Sequence, residues 1–259
     1  KKGSSLVVSG RHMGASVTES IMDYFRMLFH VDLIKFNSML EEFQKNLDAI
    51  ECMMENLGLL DSMIAIASYR ESLSYYSVPE LVKQEKAFLE SEDMYHPMLE
   101  NPVANTIKEE RGVLVTGSNA SGKSTFLKTV AISAVFAQTI HTCPARQYRA
   151  CYFQIYSSMA LKDNLQGNES YYIVEIKSLK RILNRVEEKT PLLCFVDEVL
   201  RGTNTIERIS ASAQILKSLA KVHVMCFAAT HDIELTHLLE EFYSNYHFQE
   251  EVKQNDILF

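Results

Sequence analysis

The apolar positions of the chain follow two different periods, one in each part of the sequence. Between residues 22 and 60 they recur at alternating spacings of four and three, with polar side chains between them. The apolar seam comprises Phe29, Leu33, Phe36, Leu40, Phe43, Leu47, Ile50, Met54 and Leu57. Such a 3.5-residue repeat is typical of a helix that packs along a partner helix at a shallow angle. We therefore predict helical structure throughout this region.

Gly58 marks a predicted stop or bend in this helical region, because glycine often follows the last residue of a helix. A second helix, over about residues 60–74, could then fold back on the first. Two interpretations stay open. The pair is either an ordinary helical hairpin packed on its neighbour, or a lever that carries a change of ligand state to a distant binding element.

From about Glu92 onward, short apolar runs alternate with helical stretches. The apolar runs cover residues 112–116, 151–157, 192–196 and 223–229, and the helical stretches cover 122–138, 170–188, 206–221 and about 233–243. This alternation predicts an α/β fold with a mostly parallel sheet flanked by helices, preceded by an all-α helical segment. A ligand of such a sheet binds beyond the carboxyl ends of the strands.

These patterns predict three parts. Residues 1–16 are rich in Gly and Ser and lack helical periodicity, so we expect an added leader or a disordered stretch. Residues 17–91 form the predicted helical segment, and residues 92–259 form the predicted α/β domain.

Composition and charge narrow the classes of protein. Hydrophobic residues make up 47% of the 259 residues, and no window approaches the roughly 18 apolar residues of a membrane span. The net charge of −7 argues against binding nucleic acid through bulk electrostatics alone. The five cysteines include no CxxC pair, which favours buried free thiols in a reducing compartment and a cytoplasmic location. They are Cys52, Cys143, Cys151, Cys194 and Cys226.

The strongest chemical signal lies between the first apolar run of the α/β region and the helix after it. There the sequence fits the pattern GxxxxGK[ST], and a glycine-rich turn at this point aims backbone N–H groups and the positive helix end at one anion. Lys123 would reach the β- and γ-phosphates, and the Ser124 hydroxyl would coordinate Mg²⁺. We therefore predict a nucleoside triphosphate site. Its residues are Gly117, Ser118, Asn119, Ala120, Ser121, Gly122, Lys123, Ser124 and Thr125.

Two further apolar runs end in polar residues suited to the same site. The run over 192–196 is followed by Asp197, which would hold Mg²⁺ through its water shell, and by Glu198, which would orient or deprotonate the attacking water. The run over 223–229 is followed by His231, which could contact the γ-phosphate and report its presence. An isolated histidine of this kind would be an ordinary loop residue. Three strand ends that converge on one site favour the functional role.

These motifs together resemble the ATPase domain of MutS-type DNA mismatch repair proteins. Besides the glycine loop and the acidic pair, the resemblance rests on the segment 201–205, which reads Arg-Gly-Thr-Asn-Thr, and on Ala-Thr-His at 229–231. Asn119 and the Tyr-His-Pro of residues 95–97 fit the same family. The resemblance covers about residues 92–245, and the helical segment before it resembles the end of that family's lever and core region.

The resemblance implies an ABC-like P-loop ATPase that uses ATP and Mg²⁺ and works as a head-to-tail homodimer, with each nucleotide between two subunits. It also implies DNA as a partner. In that arrangement residues 165–170 would form a signature that acts in trans, with Ser170 facing the γ-phosphate held by the other subunit. A serine hydroxyl at a helix start suits an anion, and it equally suits a simple N-cap; both roles are compatible.

The chain also departs from the usual family sequence. Ser118, Ala120 and Ser121 differ from the common loop, and Leu200 replaces a glycine that usually precedes Arg-Gly-Thr. These differences remove no ligand atom. They indicate a divergent branch of the family, acting in mismatch repair or in a recombination-type DNA transaction.

Two other functions fit part of the pattern. Another ABC-type ATPase is one, but a transport cassette would carry a Leu-Ser-Gly-Gly-Gln signature and a chromosome-maintenance head would separate its motifs by a long coiled coil. The other is a nucleotide-gated dimerising scaffold, which could dispense with Glu198. The sequence favours a MutS-related ATPase that couples ATP hydrolysis at a dimer interface to DNA binding, with Glu198, Lys123 and His231 as catalytic residues.

Overall fold

The computed structural model describes residues 17–118, 121–159, 171–200, 204–249, 251–253 and 256–258. Contacts between residues divide the chain into two compact units, with the division between Ala65 and Ile66. The leader predicted over residues 1–16 lies outside the described residues. In the part of the chain that is described, none of the helices combines the length and the apolarity needed to span a bilayer.

The first unit is helical. Its helices are α1 (Val17–Leu28), α2 (Val31–Lys45) and α3 (Leu47–Ser72), the last of which continues beyond the division. The helical conformation is interrupted at His30, which adopts a left-handed conformation with φ 50°, and again at Asn46. The predicted stop at Gly58 is wrong, and so is the second helix from residue 60, because α3 passes through this position uninterrupted. One interior glycine destabilises a helix by only about 1 kcal/mol, which a long helix tolerates.

The apolar seam of this region faces solvent. α2 and α3 bury none of their residues, and Phe29, Phe36 and Met54 are each more than half exposed. The 3.5-residue repeat predicted a partner helix along this seam. Among the described residues, no helix covers it.

The second unit contains all the strands of the described residues. They are β1 (Glu80–Val82), β2 (Leu89–Met94), β3 (Asn105–Glu109), β4 (Gly112–Gly117), β5 (Gln147–Cys151), β6 (Gln154–Ser158), β7 (Leu192–Asp197), β8 (Val224–Ala229), β9 (Tyr243–Phe248), β10 (Glu251–Lys253) and β11 (Asp256–Leu258). The helices are α4 (Lys123–Thr139), α5 (Tyr171–Val186), α6 (Thr205–Leu219) and α7 (Glu234–Leu238). β10 and β11 pair with each other in the antiparallel direction.

A five-stranded sheet forms the centre of this unit, in the order β6-β7-β8-β4-β9. Every neighbouring pair in it is parallel. β8 is buried along its whole length, and β4 and β7 are buried up to their last residue, as expected for a parallel sheet covered on both faces. The predicted α/β class with a mostly parallel sheet flanked by helices is therefore confirmed.

Side chains of the central strands alternate between two cores. Val113 and Val115 pack with residues of α4 and of a smaller sheet, whereas Leu114 packs with residues of α5 and α6. Four of the five cysteines are buried, as predicted for most of them, and Cys52 is exposed. All five are free thiols.

The smaller sheet has the strand order β1-β5-β2-β3 and carries a ladder of alternating charges. Glu80, Arg149, Glu90 and Lys108 are paired in register across the four strands. Arg149 lies 3.0 Å from Glu80 and 3.7 Å from Glu90, and Lys108 lies 3.5 Å from Glu90. Opposite charges directly across strands stabilise a sheet and oppose a slip in its register.

This sheet corrects the predicted domain boundary. The helical segment was expected to continue to residue 91, but the last helix before the strands ends at Ser72, and β1 and β2 already pair with β5. The division between Ala65 and Ile66 therefore precedes the predicted one. Short strands that pair with a distant strand leave little periodicity of their own, so the sequence pattern missed them.

Two predicted elements after residue 150 are also wrong. The apolar run over 151–157 is not one strand: β5 ends at Cys151 in the smaller sheet and β6 begins at Gln154 in the larger one. The helix predicted over 233–243 ends at Leu238, and the chain then forms β9 beside β4. In both cases the partner strand decides the conformation, because an apolar run alone does not specify the sheet that it joins.

We expect Gly112→Ala to destabilise the second unit by about 2 kcal/mol, because an added Cβ overpacks a buried site. That Cβ would lie 2.4 Å from Tyr243 Cε1 and 3.1 Å from the Cys226 carbonyl oxygen. The tyrosine ring is 1% exposed and its hydroxyl donates to the Leu216 carbonyl over 2.8 Å, so it cannot move aside freely. Urea denaturation followed by circular dichroism measures the change.

Gly58→Ala is the matched control. A Cβ at Gly58 meets nothing within 4 Å, so we expect this variant to be neutral or more stable by up to about 1 kcal/mol. Equal stability of the Gly112→Ala chain and the wild type would contradict the packing described for Tyr243.

Candidate nucleotide-binding site

Three of the predicted functional segments follow neighbouring strands of the parallel sheet. The glycine loop follows β4, the acidic pair stands at the end of β7, and His231 follows β8. β8 pairs with both of the others, with Ala229 opposite Val115 on one side and opposite Asp197 on the other. Because the strands are parallel, their carboxyl ends meet at one edge of the sheet, where the three segments lie together.

The loop after β4 depends on two glycines. Gly117 has φ 149°, and a Cβ there would lie only 2.4 Å from the Phe248 carbonyl oxygen. Gly122 has φ 90° and stands at the N terminus of α4. A side chain is strained at both positions, so the turn from strand to helix requires glycine there.

Lys123 is buried at the first residue of α4. Its ammonium group donates to the carbonyl oxygens of Gly117 over 2.8 Å and of Ser118 over 2.6 Å. Ser121 is also buried, and its hydroxyl has no hydrogen-bond partner among the described residues. A buried hydroxyl of this kind fits a bound anion or water as its partner.

Ser124 and Asp197 come together although they are 73 positions apart in the chain. The Ser124 hydroxyl donates to Asp197 Oδ2 over 2.7 Å. A hydroxyl and a carboxylate are hard oxygen ligands, and Mg²⁺ at phosphate sites uses one or two such protein groups together with water and phosphate oxygens. The donor set at this point therefore fits Mg²⁺.

Glu198 and His231 form a second contact at the same edge. His231 Nε2 lies 2.7 Å from Glu198 Oε1, and the backbone N–H of Glu198 donates to the Ala229 carbonyl over 3.0 Å. Glu198 and Leu200 both adopt left-handed backbone conformations, with φ 53° and 56°. Non-glycine residues in this region are strained by about 1 kcal/mol or more, and such strain is found most often at functional sites.

Several predicted site residues lie outside the described residues. They are Asn119, Ala120, Ser170 and the Arg-Gly-Thr of residues 201–203. Asn204 caps the N terminus of α6, since its side chain accepts a hydrogen bond from the backbone of Ile206. The predicted roles of all these residues toward a nucleotide stay predictions.

The family model of MutS domain V matches residues 113–259, more than half of the chain. This chain belongs to the MutS family. The predicted resemblance to the MutS family is thereby confirmed, and the matched residues include the glycine loop, the acidic pair and His231.

Individual relatives extend the match toward the N terminus. MutS protein homolog 4 of Mus musculus is 30% identical over 232 residues, covering 86% of this chain and 23% of the relative. The DNA mismatch repair protein MutS of Thermotoga sp. (strain RQ2) is 32% identical over 215 residues, covering 80% of this chain and 26% of the relative. The chain thus spans about a quarter of the length of these curated relatives.

Next to the glycine loop, this MutS-family chain has a cavity of about 640 Å³ that the sequence patterns did not predict. Its lining includes His96, Val103, Thr125, His247 and Phe248. His96 belongs to the Tyr-His-Pro element, and burial together with the charge of Lys128 lowers the pKa of its imidazole. His247 and Phe248 belong to β9, a strand that the sequence patterns did not predict. Its aromatic residues were the available signal.

Glu175 of α5 is a second residue that the patterns missed. It is 2% exposed; its Oε1 accepts a hydrogen bond of 2.6 Å from the backbone N–H of Leu200, and its Oε2 has no partner among the described residues. Burial raises the pKa of this carboxyl group above its ordinary value. The sequence signal for Glu175 was its position as one acidic residue on the face of α5 that also carries Leu179 and Ile182, both of which are buried.

We expect Glu175→Gln to be more stable than the wild type at neutral pH, with a difference that shrinks as the pH falls. A carboxyl group whose pKa is raised by folding retains its proton where the unfolded chain has lost it, so the wild type loses stability as the pH rises above about 4.3. Glutamine keeps an acceptor for Leu200 and has no such titration. Urea denaturation between about pH 4 and pH 7 measures the difference. The exposed Glu240→Gln is the control, and a pH-independent difference for Glu175→Gln would contradict the prediction.

Proposed function

We propose that this chain contains the ATPase site of a MutS-related protein and hydrolyses ATP in the presence of Mg²⁺ at the carboxyl edge of β4, β7 and β8. The observation that supports this most is the hydrogen bond between Ser124 and Asp197. It joins the hydroxyl of a glycine-rich loop to the carboxylate of a buried strand, which is the pair of groups that Mg²⁺ needs beside a triphosphate.

The loop over residues 117–125 holds the phosphates in this proposal. Its backbone N–H groups and the N terminus of α4 face the anion, and the Lys123 ammonium group, held within the loop by two carbonyl oxygens, adds a positive charge. Exchanging these carbonyl partners for phosphate oxygens requires only a short movement of a flexible side chain. Mg²⁺ held by Ser124 and Asp197 would neutralise charge on the β- and γ-phosphates.

Glu198 and His231 act on the attacking water. The Glu198 carboxylate accepts a hydrogen bond from the water, orients it toward the γ-phosphorus and receives its proton as the bond to the ADP oxygen breaks. His231 Nε2 lies 2.7 Å from Glu198 Oε1, which supports a role for the imidazole in directing that carboxylate. In this proposal the imidazole also contacts the γ-phosphate. The products are ADP and inorganic phosphate.

The cavity beside the loop accommodates the base and ribose in this proposal. It adjoins Gly122 and Thr125, so a nucleotide with its phosphates on the loop extends into it. The exposed ring of His247 is oriented by a contact of 3.1 Å between its Nδ1 and Thr116 Oγ1, and its flat face suits stacking on a purine. We infer adenine as the base because the family is one of ATPases.

The proposal extends to the complete protein. We infer a head-to-tail dimer in which Ser170 of one subunit faces the γ-phosphate bound by the other, with the helical unit acting as a lever. The Thermotoga relative is named a DNA mismatch repair protein. We propose that the complete protein couples ATP hydrolysis to DNA binding in mismatch repair or a recombination-type transaction. The net charge of −7 disfavours DNA binding by the surface of the chain as a whole. We therefore infer that DNA contacts either a local surface of this chain or other parts of the complete protein.

We expect Glu198→Gln to reduce ATP hydrolysis at least about 100-fold while ATP still binds, because the variant loses only the proton acceptor. Lys123→Ala should instead lose ATP binding. Hydrolysis rates, ATP affinity and mass in solution are measured with and without duplex and branched DNA, and exposed Glu187→Gln is the control. If the wild type binds ATP and dimerises without hydrolysing it, the chain is a nucleotide-gated scaffold and the ATPase proposal is wrong.

We expect His247→Ala to weaken ATP binding about tenfold, because an aromatic ring stacked on a base contributes on the order of 1–3 kcal/mol. Binding of inorganic triphosphate, which has no base, should not change. Calorimetry with both ligands measures this, and His237→Ala, an exposed histidine on α7, is the matched control. An equal loss for both ligands would show that His247 acts on the phosphate loop and not on the base.

A further inference from the structure

An ion pair outside the predicted motifs joins the segments on either side of the proposed site. Arg208 donates from Nε to Asp232 Oδ2 over 2.9 Å and from Nη2 to Asp232 Oδ1 over 2.6 Å. The two side chains are 23% and 13% exposed. A guanidinium group that binds both oxygens of one carboxylate fixes direction as well as distance, and partial burial strengthens the pair.

The two partners of the ion pair come from the segments that follow β7 and β8. Arg208 lies in the first turn of α6, where its backbone N–H donates to the Asn204 carbonyl over 2.8 Å. α6 follows the segment that begins with Glu198. Asp232 directly follows His231. The ion pair therefore connects the segment after β7 with the segment after β8.

His231 lies between two anchored residues as a result. On one side, the Thr230 backbone N–H donates to the Val115 carbonyl over 3.0 Å, and the Thr230 hydroxyl accepts from the Asp232 backbone N–H over 3.0 Å. On the other side, the Asp232 side chain is held by Arg208. A residue with both neighbours fixed has few backbone conformations available, which keeps its imidazole in one direction.

The electrostatics of the neighbourhood agree with this arrangement. The pKa of Arg208 is raised above its ordinary value, chiefly by the hydrogen bond to Asp232, and also by the charges of Glu198 and Glu234. The guanidinium group is thus cationic at any working pH, and it lies within the field of the proposed general base. It contacts neither the glycine loop nor the Ser124 and Asp197 pair in any described hydrogen bond.

We propose that Arg208 is a positioning residue, which holds His231 against Glu198 through its ion pair with Asp232. The proposal rests on the proposed ATP hydrolysis for its effect on rate. Its structural part, the orientation of His231, is measurable without any hydrolysis. Arg208 acts through His231 and does not touch the nucleotide.

Kinetics test the effect on rate. We expect Arg208→Met and Asp232→Asn each to lower kcat about tenfold, with KM and ATP affinity changing less than about twofold, because a small misplacement of a catalytic group acts on the reacting complex. The double variant that combines Arg208→Asp with Asp232→Arg should recover part of the lost kcat, because it keeps one positive and one negative partner. Arg146→Met removes an arginine from a more exposed ion pair away from the site, in which Arg146 Nε lies 2.9 Å from Asp93 Oδ2, and should change neither parameter.

A double-mutant comparison separates this role from a general loss of stability. In a His231→Ala background, Arg208→Met should produce no further drop in kcat, because its effect passes through the histidine. A further drop of the same size as in the wild type would overturn the proposal, as would an unchanged kcat for both single variants. Thermal denaturation of each variant is measured alongside.

Imidazole NMR resonances of the ¹⁵N-histidine-labelled chain provide the readout that is independent of hydrolysis. The His231 resonances, assigned by their absence in His231→Ala, should shift in Arg208→Met and Asp232→Asn and stay unchanged in Arg146→Met. If they do not shift in the first two, the positioning role is wrong even where ATP is hydrolysed. If they shift but the wild type does not hydrolyse ATP, the ion pair still positions His231 and the proposed ATPase function is what fails.

Discussion

Parallel pairing of β8 with both β4 and β7 is the constraint on which the site depends. It aligns Val115, Ala229 and Asp197 across three strands, so that the loop after β4, the acidic pair of β7 and the histidine after β8 start from one edge. The pairing is stable because apolar side chains fill both faces of the sheet and the backbone groups satisfy one another. A hydroxyl and a carboxylate 73 positions apart in the chain reach hydrogen-bond distance only through it.

The surroundings of this edge contain features that a core selected for stability alone would avoid. Glu198 and Leu200 have left-handed backbones, and Glu175 buries a carboxyl group with one oxygen unpartnered among the described residues. Each lowers stability by an amount that the rest of the hydrophobic core offsets. These features converge on the segment that carries Glu198, which supports the assignment of the catalytic step to that segment.

The helical unit differs from the second unit in the exposure of its apolar residues. Its 3.5-residue seam is exposed along α2 and α3, whereas the continuous apolar run of β4 is buried on both faces. Exposed apolar seams of this length are normally covered in a functioning protein. The two relatives described above are about three to four times as long as this chain. The lever interpretation belongs to the proposal for the complete protein.

The sequence by itself determined the α/β class, the glycine loop, the acidic pair and the histidine, because each is a local pattern: a buried strand, a turn that needs Gly117 and Gly122, or polar residues at a strand end. It did not determine the course of α3 through Gly58, the change of sheet after Cys151, or the strand that carries His247. The tertiary structure decided these, together with the contacts of Glu175 with Leu200 and of Arg208 with Asp232. Each depends on which distant residue lies opposite, and a local pattern of polarity carries no information about a partner far along the chain.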